Sequence, residues 1–148
     1  MKRSLVHALV FLFLAGGILL SGCGGGGESA MASIPPGVAS ALAWDAPQTY
    51  EDHTPLDPYK DLDSYEFYVR NDPNFTENDL PMAEVAAVED ILSPDGKAYL
   101  KNLTTLFNLD NLKPFLTPGA RYYLSIRAVG MDGLKSGFSQ PVSWDHTS

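Results

Sequence analysis

Tyr122-Tyr123-Leu124-Ser125-Ile126-Arg127-Ala128 alternates without a break, with Tyr122, Leu124, Ile126 and Ala128 on one side and Tyr123, Ser125 and Arg127 on the other. A period of two marks a strand with one face on a core and the other outward. Tyr65-Glu66-Phe67-Tyr68-Val69-Arg70 repeats the pattern, and Tyr65, Phe67 and Val69 are predicted to face in. Shorter pieces of the same kind flank these two, Ala41-Leu42-Ala43-Trp44 early and Val142 with Trp144 late. Pro47 and the run to Pro58 break the first of them. Short period-2 strands punctuated by Pro, Gly and Asp predict an all-β domain, and a β-sandwich buries one face of each strand.

The middle of the chain gives a weaker signal. In residues 82–92, Val85, Val88 and Ile91 fit helical spacing and alternation is poor, so a strand and one short helix both stay open. Pro94-Asp95-Gly96-Lys97 reads as a turn, and Tyr99, Lys101 and Leu103 as the start of a strand. Residues 107–115 form a leucine-rich stretch with room for a helical turn.

Four pieces, in order, resemble a fibronectin type III domain over about residues 40–143. Leu42-Ala43-Trp44-Asp45-Ala46-Pro47 is similar to the second strand of that family. Pro55-Leu56 and then Asp61-Leu62-Asp63-Ser64-Tyr65-Glu66-Phe67-Tyr68-Val69 resemble the approach to its third strand. Leu116-Thr117-Pro118-Gly119 followed by Tyr122 looks like the family's tyrosine corner, and residues 128–139 look like its last hairpin. The resemblance implies an immunoglobulin-like sandwich in which Leu116, Pro118 and Tyr122 form a structural corner, the tyrosine hydroxyl satisfying nearby backbone. Two departures stand out. Ile34-Pro35-Pro36-Gly37 makes no convincing first strand, and residues 104–115 exceed the family's usual short link. Long loops on small sandwiches often carry contacts, so 104–115 is either an elaborated edge, a contact surface, or a loop packing its own leucines. Met131-Asp132-Gly133 stands where some animal adhesion members carry Arg-Gly-Asp, so integrin-type adhesion is not implied.

Ahead of the body, Lys2 and Arg3 lead into an apolar run of 13 residues, 8–20, and then Leu20-Ser21-Gly22-Cys23. A spanning helix needs about 20 residues, so the run suits a signal segment better. Leu20, Ser21, Gly22 and Cys23 resemble the lipobox of bacterial lipoproteins, which implies cleavage before Cys23 and lipidation of its thiol. Two or three acyl chains would hold the membrane firmly, since each buried methylene contributes roughly 0.8 kcal/mol. Gly24 follows the cysteine, and lipoproteins without an aspartate there favour the outer membrane. Residues 24–37 are glycine-rich and small, a tether reaching roughly 20 Å. The expected organisation is therefore a signal peptide at 1–22, lipidated Cys23 with its tether at 23–37, and the sandwich at 38–146.

Composition limits what this body does. The chain has 148 residues and a formal charge of −8, and losing Lys2 and Arg3 without any acid makes it −10. Such a domain repels nucleic acid and anionic headgroups, leaving the lipid on Cys23 as the membrane contact. Cys23 is the single cysteine, so no disulfide and no thiolate metal site is expected. His53 in an acidic loop and His146 near the end offer no rigid relay for a nucleophile. Phosphate-loop, nucleophile-elbow and zinc-protease motifs are missing from the sequence. No catalytic residue, cofactor or metal is expected. The acids around Asp57, Asp61 and Asp63 lack the calcium-loop pattern and read as a solvated loop.

The remaining candidate is the outward face of the two long strands. Tyr68, Arg70, Tyr123 and Arg127 fall there, and exposed Tyr and Arg are enriched at contacts. Cross-strand pairing is the competing role for the same side chains. The sequence thus predicts a non-catalytic, lipid-anchored binding or spacer module of a bacterial cell envelope with a protein or glycan partner. A structural accessory subunit of an envelope machine is the competing reading. Glycan binding would want a planar row of exposed rings, for which Tyr68 and Tyr123 are the candidates.

Overall fold

In the computed structural model, which describes residues 41–146, eight strands follow in chain order. They are β1 (Ala41–Ala43), β2 (Leu62–Arg70), β3 (Ala83–Ala86), β4 (Val88–Leu92), β5 (Tyr99–Leu103), β6 (Leu106–Asn108), β7 (Arg121–Gly130) and β8 (Val142–Asp145). One helical turn, α1 (Pro58–Asp61), precedes β2. The signal, lipobox and tether assignments, Leu20 to Cys23 included, lie outside the described residues.

All pairings are antiparallel. Four strands form one sheet in the order β3-β2-β7-β8, β1 pairs with β6 in a second, and β4 pairs with β5 in a third. The first two sheets close on a common core, giving an all-β, sandwich-like body. Leu42 and Phe107 come from the small sheet, and Tyr65, Phe67, Tyr122, Leu124 and Ile126 from the large one. Trp44 meets Tyr65 and Phe67 edge-on, with ring centroids 5.0 and 5.5 Å away, while Phe67 stacks on Phe107 at 4.2 Å. Edge-to-face and offset pairs add to what the buried area alone contributes. The inward residues of both long strands are those the period of two selects, except that Val69 is only partly buried.

A bulge sets how β2 begins. The register moves from Leu62↔Gly130 to Ser64↔Val129, so Asp63 is an extra residue and Leu62 turns into the core. The Asp63 carbonyl then accepts the Ala87 N–H at 2.8 Å, tying down the root of the β4–β5 hairpin. Just upstream, Pro58 starts α1 and the Asp57 side chain caps it by accepting the Tyr59 N–H at 3.1 Å.

Residues 82–103 contain strands, so the helical alternative for 82–92 is not realised. The turn at Gly96 has a φ of +71°, a left-handed conformation that glycine adopts without penalty. Residues 104–115 supply β6 and two short 3-10 turns, and Leu109 and Leu112 are buried in the core. Leu109 and Leu112 thus pack inward as the leucine-packing reading expects, while β6 pairs with β1 and Leu106 and Phe115 stay exposed. The elaboration that projects is the hairpin before it.

Candidate contact surface

Tyr68, Arg70, Tyr123 and Arg127 do share one face of the large sheet, opposite the core. Arg70 sits directly across from Tyr123, Tyr68 from Ser125, and Arg127 from Glu66. That face is not open, however. Tyr68 is 2% exposed and Arg127 7%, which corrects the expectation that both point into solvent. Residues 71–82 fold back over them, and the segment before β8 closes the other side. Phe138 meets Tyr68 edge-on at 4.9 Å, and Phe75 stacks on Phe138 at 5.6 Å.

Charged groups pin this cover in place. The Arg127 guanidinium lies 4.6 Å over the Phe138 ring, donates to the Ser136 carbonyl at 2.6 Å and pairs with Glu77 at 2.6 Å. Arg70 holds both Asp72, at 2.9 Å, and Asp79. The Tyr68 hydroxyl donates to Glu66 at 2.5 Å, and Lys135 donates to the other Glu66 oxygen at 2.7 Å. Burial works to raise the Glu66 carboxyl, but Lys135, Tyr68 and Arg127 outweigh it and hold the group below its ordinary value. Burial, together with the Glu66 carboxylate, pushes the Tyr68 phenol well above its own. These four side chains therefore split. Tyr68 and Arg127 serve structure, while Arg70 and Tyr123 keep partial exposure.

Sequence reasoning missed a different surface. The β4–β5 hairpin is exposed along nearly its whole length. Its ladder places Leu92 opposite Tyr99 and Ile91 opposite Leu100, so apolar pairs stand on both of its faces. All four are exposed, Tyr99 to 73%. The hairpin stands at the end of the molecule where β2 begins and β7 ends. There α1 lies beside β5, and the Met131 N–H donates to the Asp61 carbonyl at 2.9 Å. Tyr59, Met131 and Leu134 are exposed at this same end. Seven of the eleven large apolar side chains exposed among the described residues thus gather here, too many to be scattered surface residues.

The first described residue lies elsewhere. The Thr104 N–H bonds to the Ala87 carbonyl beside the hairpin root, and β6 runs away from there to Asn108, which pairs with Ala41. The first described residue therefore lies at the end of β6 remote from the hairpin.

Among the described residues, no helix is long and apolar enough to cross a membrane, and no group of three or more His, Cys, Asp or Glu could hold a metal ion. At the foot of β7, the Tyr122 hydroxyl accepts the Thr117 N–H at 2.9 Å while its ring is buried against the core, where Leu116 also packs; Pro118 is exposed. Comparison with family models, curated proteins and solved structures yields no match to this chain.

Proposed function

We propose that this chain is a non-catalytic, lipid-anchored module of a bacterial cell envelope, which holds a fibronectin type III-like sandwich at a membrane and presents its far end to a protein partner. Supporting the fold half of this reading are the strand order β3-β2-β7-β8, the β1–β6 pair across the core and the corner at Tyr122. Supporting the anchor half is the lipobox-like Leu20-Ser21-Gly22-Cys23. One observation carries the presenting role. Ala41, the first described residue of the sandwich expected at 38–146, pairs with Asn108 at the end of β6 remote from the exposed apolar hairpin.

Glycan binding loses ground, because the row of rings it needs is broken by the burial of Tyr68. The projecting hairpin favours a dedicated protein partner, which keeps a structural accessory subunit of an envelope machine as the second reading. The outer membrane remains the proposed address, on the strength of Gly24. Replacing Cys23 by Ser tests the anchor: the chain should leave the detergent phase of a cloud-point extraction and lose metabolic acyl labelling. Unchanged partition of Cys23→Ser would remove lipid from the proposal.

A further inference from the structure

We infer that the β4–β5 hairpin, with α1 and the turn after β7, is a docking site for a protein that offers an apolar cleft rimmed by lysine and arginine. The inference rests on the presenting role proposed above, though not on the lipid itself. Its geometric basis is the pairing of Leu92 with Tyr99 and of Ile91 with Leu100. A sheet that is apolar on one face packs against its own core; apolar pairs on both faces of a projecting ribbon have no such use inside the fold. A two-stranded ribbon held by its fold only at the root and beside α1 is also marginal in water, so a partner that covers its exposed apolar pairs completes it.

The chemistry of the rim selects among three possible occupants. Lys60 pairs with Asp57 and Lys101 with Asp90, so those charges are matched within the fold. Asp63, Glu89, Asp95 and Asp132 are all exposed at this end, and Lys97 is the one further lysine on the hairpin. A surface apolar at its centre and acidic at its edge complements a basic rim. A lipid bilayer fits poorly. The tip carries Pro94-Asp95-Gly96-Lys97, whose charges would have to leave water before Leu92 or Tyr99 reached hydrocarbon. A second copy fits poorly too, because it brings the same acidic rim against this one.

The test uses the full-length chain in its host cells, with p-benzoylphenylalanine in place of Tyr99 in one strain and of Phe115 in another. Tyr99 and Phe115 are equally exposed, at 73% each, but Phe115 lies in the 3-10 segment away from the hairpin. After irradiation, the Tyr99 position should give one discrete adduct with a second polypeptide, and the Phe115 position should not. That adduct should disappear with Leu100→Glu and fall several-fold with Glu89→Lys or in high salt, while the circular dichroism spectrum stays unchanged. Four outcomes overturn the inference: an adduct with lipid alone, an adduct with a second copy of the chain, equal adducts from both positions, or none. The detergent partition of the same cells reports on Cys23 separately, so loss of the anchor and loss of docking are told apart.

Discussion

Tyr68 donates its hydroxyl to Glu66 at 2.5 Å beneath Phe138, whereas Tyr123, diagonal to it across the β2–β7 ladder, is only half-covered. Truncating the two rings should therefore have different costs. Tyr68→Ala is expected to destabilise the fold by about 3–5 kcal/mol, as for other buried aromatic truncations. Tyr123→Ala should stay within about 1 kcal/mol, and urea unfolding of both variants measures the contrast. Glu66 gives a pH prediction. Its native carboxyl is held below the ordinary value, so on acidification the unfolded chain takes up that proton first. Its stabilising contribution is present above the ordinary glutamate range and is lost as pH falls through the native value. The stability difference between the parent and Glu66→Gln should accordingly be largest near neutrality and shrink below about pH 4.3. A difference that grows with acid would contradict the arrangement around Lys135. At this scale the alternation in the sequence identified which side chains share a face. It was silent on what covers that face, because Phe75 and Phe138 reach it from loops with no periodicity of their own.

Among the elements, β2 and β7 were legible because each has one face on the core, which imprints a period of two. The β4–β5 hairpin was legible only in part: its turn at 94–97 and the start of β5 at Tyr99 were read, but β4 stayed open between strand and helix. With both faces in water, Ile91-Leu92 and Tyr99-Leu100 sit as adjacent apolar residues, a pattern that mimics a buried segment or a helix stripe. The leucines of 104–115 were visible as apolar, but only the fold shows that Leu109 and Leu112 enter the core. Leu109→Ala should consequently cost about 2–5 kcal/mol, while Leu100→Ala, at an exposed site, should leave the unfolding midpoint nearly unchanged. Hydrogen exchange offers a second check. Amides of β4 and β5 should exchange well before those of β2 and β7, since the ribbon opens without disturbing the core. Equal protection of the two sets would mean the hairpin belongs to the same cooperative unit.

For the whole molecule, the proposed arrangement is directional: a chain that would be held through Cys23, with the apolar, acid-rimmed hairpin remote from the Ala41 end of β1. The hairpin lies within residues 41–146, whereas the proposed anchor is suggested by the sequence alone, which did not point to the hairpin as a surface. The most direct measurement is the height of that end above the membrane. Because Cys23 would be consumed by lipid, a single introduced cysteine can carry a dye, at the hairpin tip with Lys97→Cys or beside Ala41 with Asn108→Cys. In vesicles containing an acceptor-labelled lipid, the account predicts weaker energy transfer from position 97 than from position 108. Equal transfer from the two, or stronger transfer from the hairpin tip, would contradict it.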